Sequence, residues 1–100
     1  MATIITHDEL VNLILNLLQK HFEESNERID LKEGEMTKLF GGDGVLNSLG
    51  LVSFIVSVEE ALEDEFGISI LLADEKAMSR RTSPFSRVSN LVDYILELIK

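Results

Sequence analysis

The chain has 100 residues, 45% of them hydrophobic, and 18 acidic against 9 basic residues give it a formal net charge of −9. This size and composition predict one domain over residues 1–100 with a packed core. The acidity argues against a nucleic-acid partner, because phosphate binding needs clustered Lys and Arg.

Cysteine is absent from the chain, which excludes disulfides, thiolate metal sites and a thiol nucleophile of its own. No apolar run reaches the length of a membrane span, and the first residues lack the basic region of a signal peptide. We therefore expect a cytoplasmic protein that does not insert into membranes.

The first predicted helix runs from His7 to about Asn26. Thr6 and Glu9 have the spacing of a capping box, in which each side chain accepts the other residue's amide proton. The apolar side chains that follow at helical spacing are Leu10, Leu13, Ile14, Leu17, Leu18 and Phe22.

A long loop over residues 27–47 is predicted next, because this stretch is polar and contains four glycines. Loops of this length are uncommon unless they are functional or packed by their own side chains. The side chains expected to hold the loop on the core are Leu31, Met36, Leu39 and Phe40.

The second predicted helix runs from Ser48 to about Phe66, with Asn47 as its N-cap and Gly67 at its end. The residues predicted to face inward are Leu49, Val52, Ile55, Val56, Leu62 and Phe66. A short third helix is predicted over about residues 72–78.

A polar turn follows, and its Arg80 and Arg81 are the main basic feature of the chain. Ser86 is then predicted to cap a last helix over about residues 86–99. The pattern predicts an all-α protein: a small four-helix bundle of three long helices and one short helix, with a long loop between the first two.

Acidic residues dominate the middle of the chain, where no basic residue lies between Lys38 and Lys76. Such a segment is either an ordinary solvated surface or a surface that steers basic partner proteins into contact. The alternatives remain open at this point.

Enzymatic sites find little support in the sequence. His7 and His21 are fourteen residues apart with no evident third metal ligand, so we interpret both as surface or capping residues and expect no metal site. No base is placed to activate Ser48, and the glycine-rich stretch at 41–44 lacks the Gly-Lys-Ser/Thr of a phosphate loop. We expect no catalytic residues and no enzymatic activity.

Ser48 is the most informative residue, because its predicted place is the first position of a helix. A helix N-terminus stabilises a negative group by about 0.3–1 kcal/mol, so a phosphate-linked group on Ser48 would be well tolerated. The surrounding sequence resembles the acyl carrier protein family from the first helix to about Ile95. The segments that carry this resemblance are 46–52 (LNSLGLV), 58–60 (VEE), 65–70 (EFGISI) and 88–95 (VSNLVDYI).

The resemblance implies that a phosphopantetheinyl transferase attaches 4′-phosphopantetheine from coenzyme A to Ser48. The thiol of that arm would hold acyl or aminoacyl groups as thioesters for loading and transferring enzymes. It implies a monomeric carrier in a fatty acid, polyketide, lipid or D-alanyl pathway; the alternative is an unmodified interaction module with the carrier fold. The residues assigned to partner binding are Asn47, Leu49, Leu51, Phe54, Glu59, Glu60 and Glu63.

Three departures from the family pattern point to a specialised carrier. Asn47 stands where the family usually has Asp, and in the family that aspartate is associated with productive contact to the transferase. The segment from Ser48 to Phe66 is longer by about four residues, close to one helical turn. Leu51 and Phe54 take positions near those where fatty-acid carriers tend to have acids; they either cover neighbouring loops or form an apolar docking patch.

Overall fold

The computed structural model describes residues 5–41, 44–72 and 84–99. These ranges contain three α-helices, α1 (His7–Glu24), α2 (Ser48–Phe66) and α3 (Val88–Leu98), together with one 3-10 turn at Gly34–Met36 and no strand. The all-α prediction is confirmed. The predicted fourth, short helix is not, since Leu72 is not helical and the rest of that segment, like Arg80 and Arg81, lies outside the described residues.

The start of α1 follows the predicted capping box. The Glu9 amide donates to Thr6 Oγ1 at 3.1 Å, and the Thr6 amide donates to Glu9 Oε1 at 3.3 Å. The helix ends at Glu24, two residues before the predicted end, and Asn26 then takes a left-handed φ of 62° that turns the chain out of the helix.

Backbone hydrogen bonds join the loop between α1 and α2 to the segment before α3, and join two parts of the loop to each other. The Leu39 amide donates to the Ser86 carbonyl, and the Leu46 amide donates to the Leu39 carbonyl, both at 2.8 Å. Leu39 is fully buried, and Leu31 and Phe40 pack against the core as predicted. The prediction for Met36 is wrong, since 48% of this residue is exposed. These contacts fix the approach of the chain to Ser48.

The start of α3 differs from the prediction. Its N-cap is Arg87 instead of Ser86, and no side chain caps the helix. The Val88 amide donates to the Thr37 carbonyl at 3.0 Å, so the loop supplies an acceptor for one of the first amides of α3, which have no acceptor within the helix. The carbonyl of Ser86 meanwhile accepts the Leu39 amide.

The buried face of α2 is also different from the predicted one. Ile55 and Leu62 are buried as expected, but the exposed fractions are 81% for Leu49, 59% for Val52 and 45% for Val56. Apolar residues occupy several faces at the start of this helix, so periodicity alone does not select one, and packing in the core does. The residues of α2 that are buried are Leu51, Phe54, Ile55, Val58 and Leu62.

The helices in the described ranges include none that is both long and apolar enough to cross a membrane.

Candidate functional site

Ser48 is the first residue of α2 and is exposed, as the sequence predicts. The cap of the helix is made by its neighbour: Asn47 has extended backbone angles, and its Oδ1 accepts the Gly50 amide at 2.7 Å. The Leu51 amide donates to the Asn47 carbonyl at 2.8 Å, which closes the first turn. Because Asn47 supplies the cap, the Ser48 hydroxyl is not needed to stabilise the helix.

The charge around Ser48 suits a phosphodiester. The structure describes the whole of α2, and its first turn has no acidic residue, whereas the first turn of α1 has Asp8 and Glu9. The partial positive charge of the α2 N-terminus is therefore not neutralised by the helix itself, and its first amides are donors without intrahelical acceptors. An anion attached at Ser48 would gain about 0.3–1 kcal/mol from this setting.

An exposed face of α2 continues from this site. Leu49, Val52 and Val56 follow one another at spacings of three and four residues, so they lie on one side of the helix. Glu60 and Glu63 extend the same side and are exposed as well. We call these five residues the exposed stripe; it is apolar next to Ser48 and acidic further along.

The docking patch predicted at Leu51 and Phe54 is wrong. Leu51 is only 6% exposed and Phe54 is fully buried, because both face the core. Of the two interpretations of these residues, the structure agrees with a packing role. The apolar residues at the surface are instead Val52 and Val56, which the sequence pattern had assigned to the core. Their helical spacing from Leu49 is the signal that could have placed them on the same side as that residue.

Glu59 is half-buried and does not belong to the exposed stripe. Its Oε2 accepts the Leu72 amide at 2.6 Å, which ties the extended segment after α2 back onto the helix. This contact gives Glu59 a structural role. Of the predicted partner-binding residues, those that the structure places at the surface are Asn47, Leu49, Glu60 and Glu63.

The two histidines lie at opposite ends of α1. His7 Nε2 is 3.3 Å from a Glu35 carboxylate oxygen, and its Nδ1 is 3.9 Å from Asp93. His21 packs edge-on against Phe54, with 6.1 Å between ring centroids, at the α2 end where Ser48 lies. In the described ranges, no three His, Asp or Glu side chains group in a way that could hold a metal ion.

Gly50 lies beside the Asn47 side chain that caps α2, and His21 of α1 is further away. A Cβ at this position would lie 3.2 Å from Asn47 Oδ1 and 3.9 Å from His21 Nε2. The first distance is tighter than an ordinary van der Waals contact. The glycine thus leaves an open space between His21 and the turn that contains Ser48.

Comparison with models of protein families, with curated proteins and with solved structures gives no match.

Proposed function

We propose that this protein is a carrier that holds acyl or aminoacyl groups as thioesters on a 4′-phosphopantetheine arm attached to Ser48. The observation that carries the proposal is the exposed Ser48 at an α2 N-terminus whose first turn is free of acids. A phosphodiester fits this position by charge and by access. The arm would supply the thiol that the chain lacks.

The exposed stripe supports a role in binding enzymes. Leu49 is 81% exposed and Val52 is 59% exposed, and together with Val56 they form a contiguous apolar surface of the kind that partners cover. An enzyme with a matching apolar surface and nearby Lys or Arg would contact Leu49, Val52 and Val56, while Glu60 and Glu63 steer its approach. We therefore propose that the transferase and the loading enzymes bind here.

The sequence resemblance suggests a specialised pathway of fatty acid, polyketide, lipid or D-alanyl type. The protein would act as a cytoplasmic monomer with no catalysis of its own. Asn47 favours the second candidate, an unmodified interaction module, because the family usually has Asp in that position. The cap geometry argues that Asn47 preserves the helix start, since its Oδ1 holds the Gly50 amide at 2.7 Å.

Modification by a broad-specificity phosphopantetheinyl transferase with coenzyme A tests the proposal. We expect the intact mass to rise by one phosphopantetheine group, and the product to react with one equivalent of a thiol reagent. If Asn47 limits the transferase, Asn47→Asp is modified faster than wild type. If the protein keeps its original mass with two unrelated transferases, the result contradicts the carrier proposal and favours the unmodified interaction module.

Binding through the exposed stripe is tested in the same reaction. Val52→Asp places a charge in its apolar part and should lower kcat/KM of modification about tenfold, the effect of losing roughly 1.4 kcal/mol at an interface. Leu71→Asp is the matched control, since Leu71 is 63% exposed and lies outside α2. Equal rates of modification for the two variants would show that the transferase does not bind through the exposed stripe.

A further inference from the structure

A groove runs between α1 and α2, beginning beside Ser48. It consists of two adjoining depressions of about 340 Å³ and 300 Å³, and both are lined by His21 and Ser53. The first depression reaches Asn47 and Leu49, the residues on either side of Ser48. The second continues past Ser57 to Ala61 and Asp64. Because they share these two residues, the depressions lie next to each other along α2.

Small residues form much of the α2 wall of this groove, which also includes Leu49 at its start and Glu60 and Asp64 further along. Gly50, Ser53, Ser57 and Ala61 succeed one another at spacings of three and four, next to the exposed stripe but on a different side of the helix. Hydroxyl groups and the His21 imidazole offer both donors and acceptors along the groove. The lining also contains five charged residues: Lys20, Glu24, Glu27, Glu60 and Asp64. It therefore suits a polar chain with amide donors and acceptors better than a hydrocarbon.

We propose that the phosphopantetheine arm rests in this groove when no enzyme holds it, passing His21 and ending near Ser57. This inference rests on the proposed function, because Ser48 must carry the arm. The arm contains two amide groups, whose N–H donors and C=O acceptors need partners when they leave water. His21 and Ser53 provide such partners where the two depressions meet. Ser57 Oγ, which donates to the Ser53 carbonyl at 3.2 Å, provides an acceptor further along.

The lengths of arm and groove agree. From its phosphorus to its sulfur, the arm has about as many chain atoms as nearly five residues of extended peptide, which span about 16 Å. Along α2, the rise from Ser48 to Ser57 is about 14 Å. An arm in the groove therefore ends within the second depression, and it leaves Val52 and Val56, which do not line the groove, uncovered for an enzyme.

Isotope-filtered NMR on the modified protein locates the arm directly. With an unlabelled arm on a ¹³C,¹⁵N-labelled chain, we expect contacts from the two geminal methyl groups to the His21 ring and Ser53. The methylene next to the thiol should contact Ser57. Contacts confined to Leu49 and Val52, or no contacts to the protein, would overturn the inference.

A substitution that narrows the groove supplies the second test. Ser53 is exposed, so Ser53→Leu can narrow the groove without disturbing the core, and Ser69→Leu adds the same side chain at an exposed position outside it. We expect the arm's thiol to react with a bulky maleimide about fivefold faster in Ser53→Leu than in wild type, the change expected from loss of one hydrogen bond. The Ser69→Leu rate should equal that of wild type.

The outcomes separate this inference from the function on which it rests. A mass gain without faster alkylation in Ser53→Leu and without the His21 contacts overturns the groove alone. A protein that gains no mass overturns both. A mass gain with both predicted readouts supports both.

Discussion

Two valines of α2 provide a direct test of which side of the helix is buried. Val58 is fully buried and Val56 is 45% exposed, although only one residue separates them. Replacing each with alanine deletes the same two methyl groups from the same helix. The intrinsic gain in helix propensity, at most about 0.7 kcal/mol, is also the same and cancels in the comparison.

The expected difference follows from burial. Removing two buried methyl groups costs about 1.6 kcal/mol in transfer free energy, and the cavity at Val58 adds to this. At Val56 only about half of this transfer free energy is lost, and no enclosed cavity forms. The gain in helix propensity nearly offsets that smaller loss. The free energy of unfolding should therefore fall by about 1.5–2 kcal/mol more for Val58→Ala than for Val56→Ala.

Urea unfolding followed by far-UV circular dichroism measures this difference, and the fluorescence of Tyr94, which is 4% exposed, provides an independent probe. In thermal unfolding the same difference separates the midpoints by about 10 °C for a domain of this size. Equal losses, or a larger loss for Val56→Ala, would refute the assignment of the exposed stripe.

Three further substitutions test local features. Glu59→Gln weakens the hydrogen bond to the Leu72 amide, so that amide should exchange faster with solvent and the free energy of unfolding should fall by about 1 kcal/mol. The control Glu60→Gln should change neither quantity. Equal exchange of the Leu72 amide in the two variants would contradict the structural role of Glu59. Asn47→Ala should cost about 1 kcal/mol in urea unfolding through loss of the cap, and an unchanged midpoint would show that the cap does not stabilise α2. Gly67→Ala should cost about 1 kcal/mol because the C-cap has a φ of 66°; a variant as stable as wild type would contradict that left-handed conformation.

The ends of the helices could be predicted from the sequence where local signals fix them. Thr6 with Glu9 marks the start of α1, and Asn47 and Gly67 bracket α2, because capping groups act on amides and carbonyls within a few residues. The start of α3 could not be predicted in this way. Its acceptor is the Thr37 carbonyl, which is distant in sequence and reaches Val88 only in the folded chain.

The buried side of α2 shows a second limit of sequence reasoning. Leu49 and Val52 have the spacing of core residues, and so do Leu51 and Phe54 on the opposite side of the helix. Packing in the folded core, including the contact of His21 with Phe54, decides between the two sides. The candidate site is predictable to the extent that it depends on Ser48 and its cap, and unpredictable where it depends on which apolar residues remain exposed.

The central claim is that Ser48 is the attachment point of a phosphopantetheine arm. Intact mass spectrometry after incubation with coenzyme A and a broad-specificity transferase tests it most directly, with Ser48→Ala and the matched variant Ser53→Ala measured beside wild type. Wild type and Ser53→Ala should each gain the mass of one arm, and Ser48→Ala should gain none. An unchanged wild-type mass, or an arm that persists in Ser48→Ala, would contradict the claim.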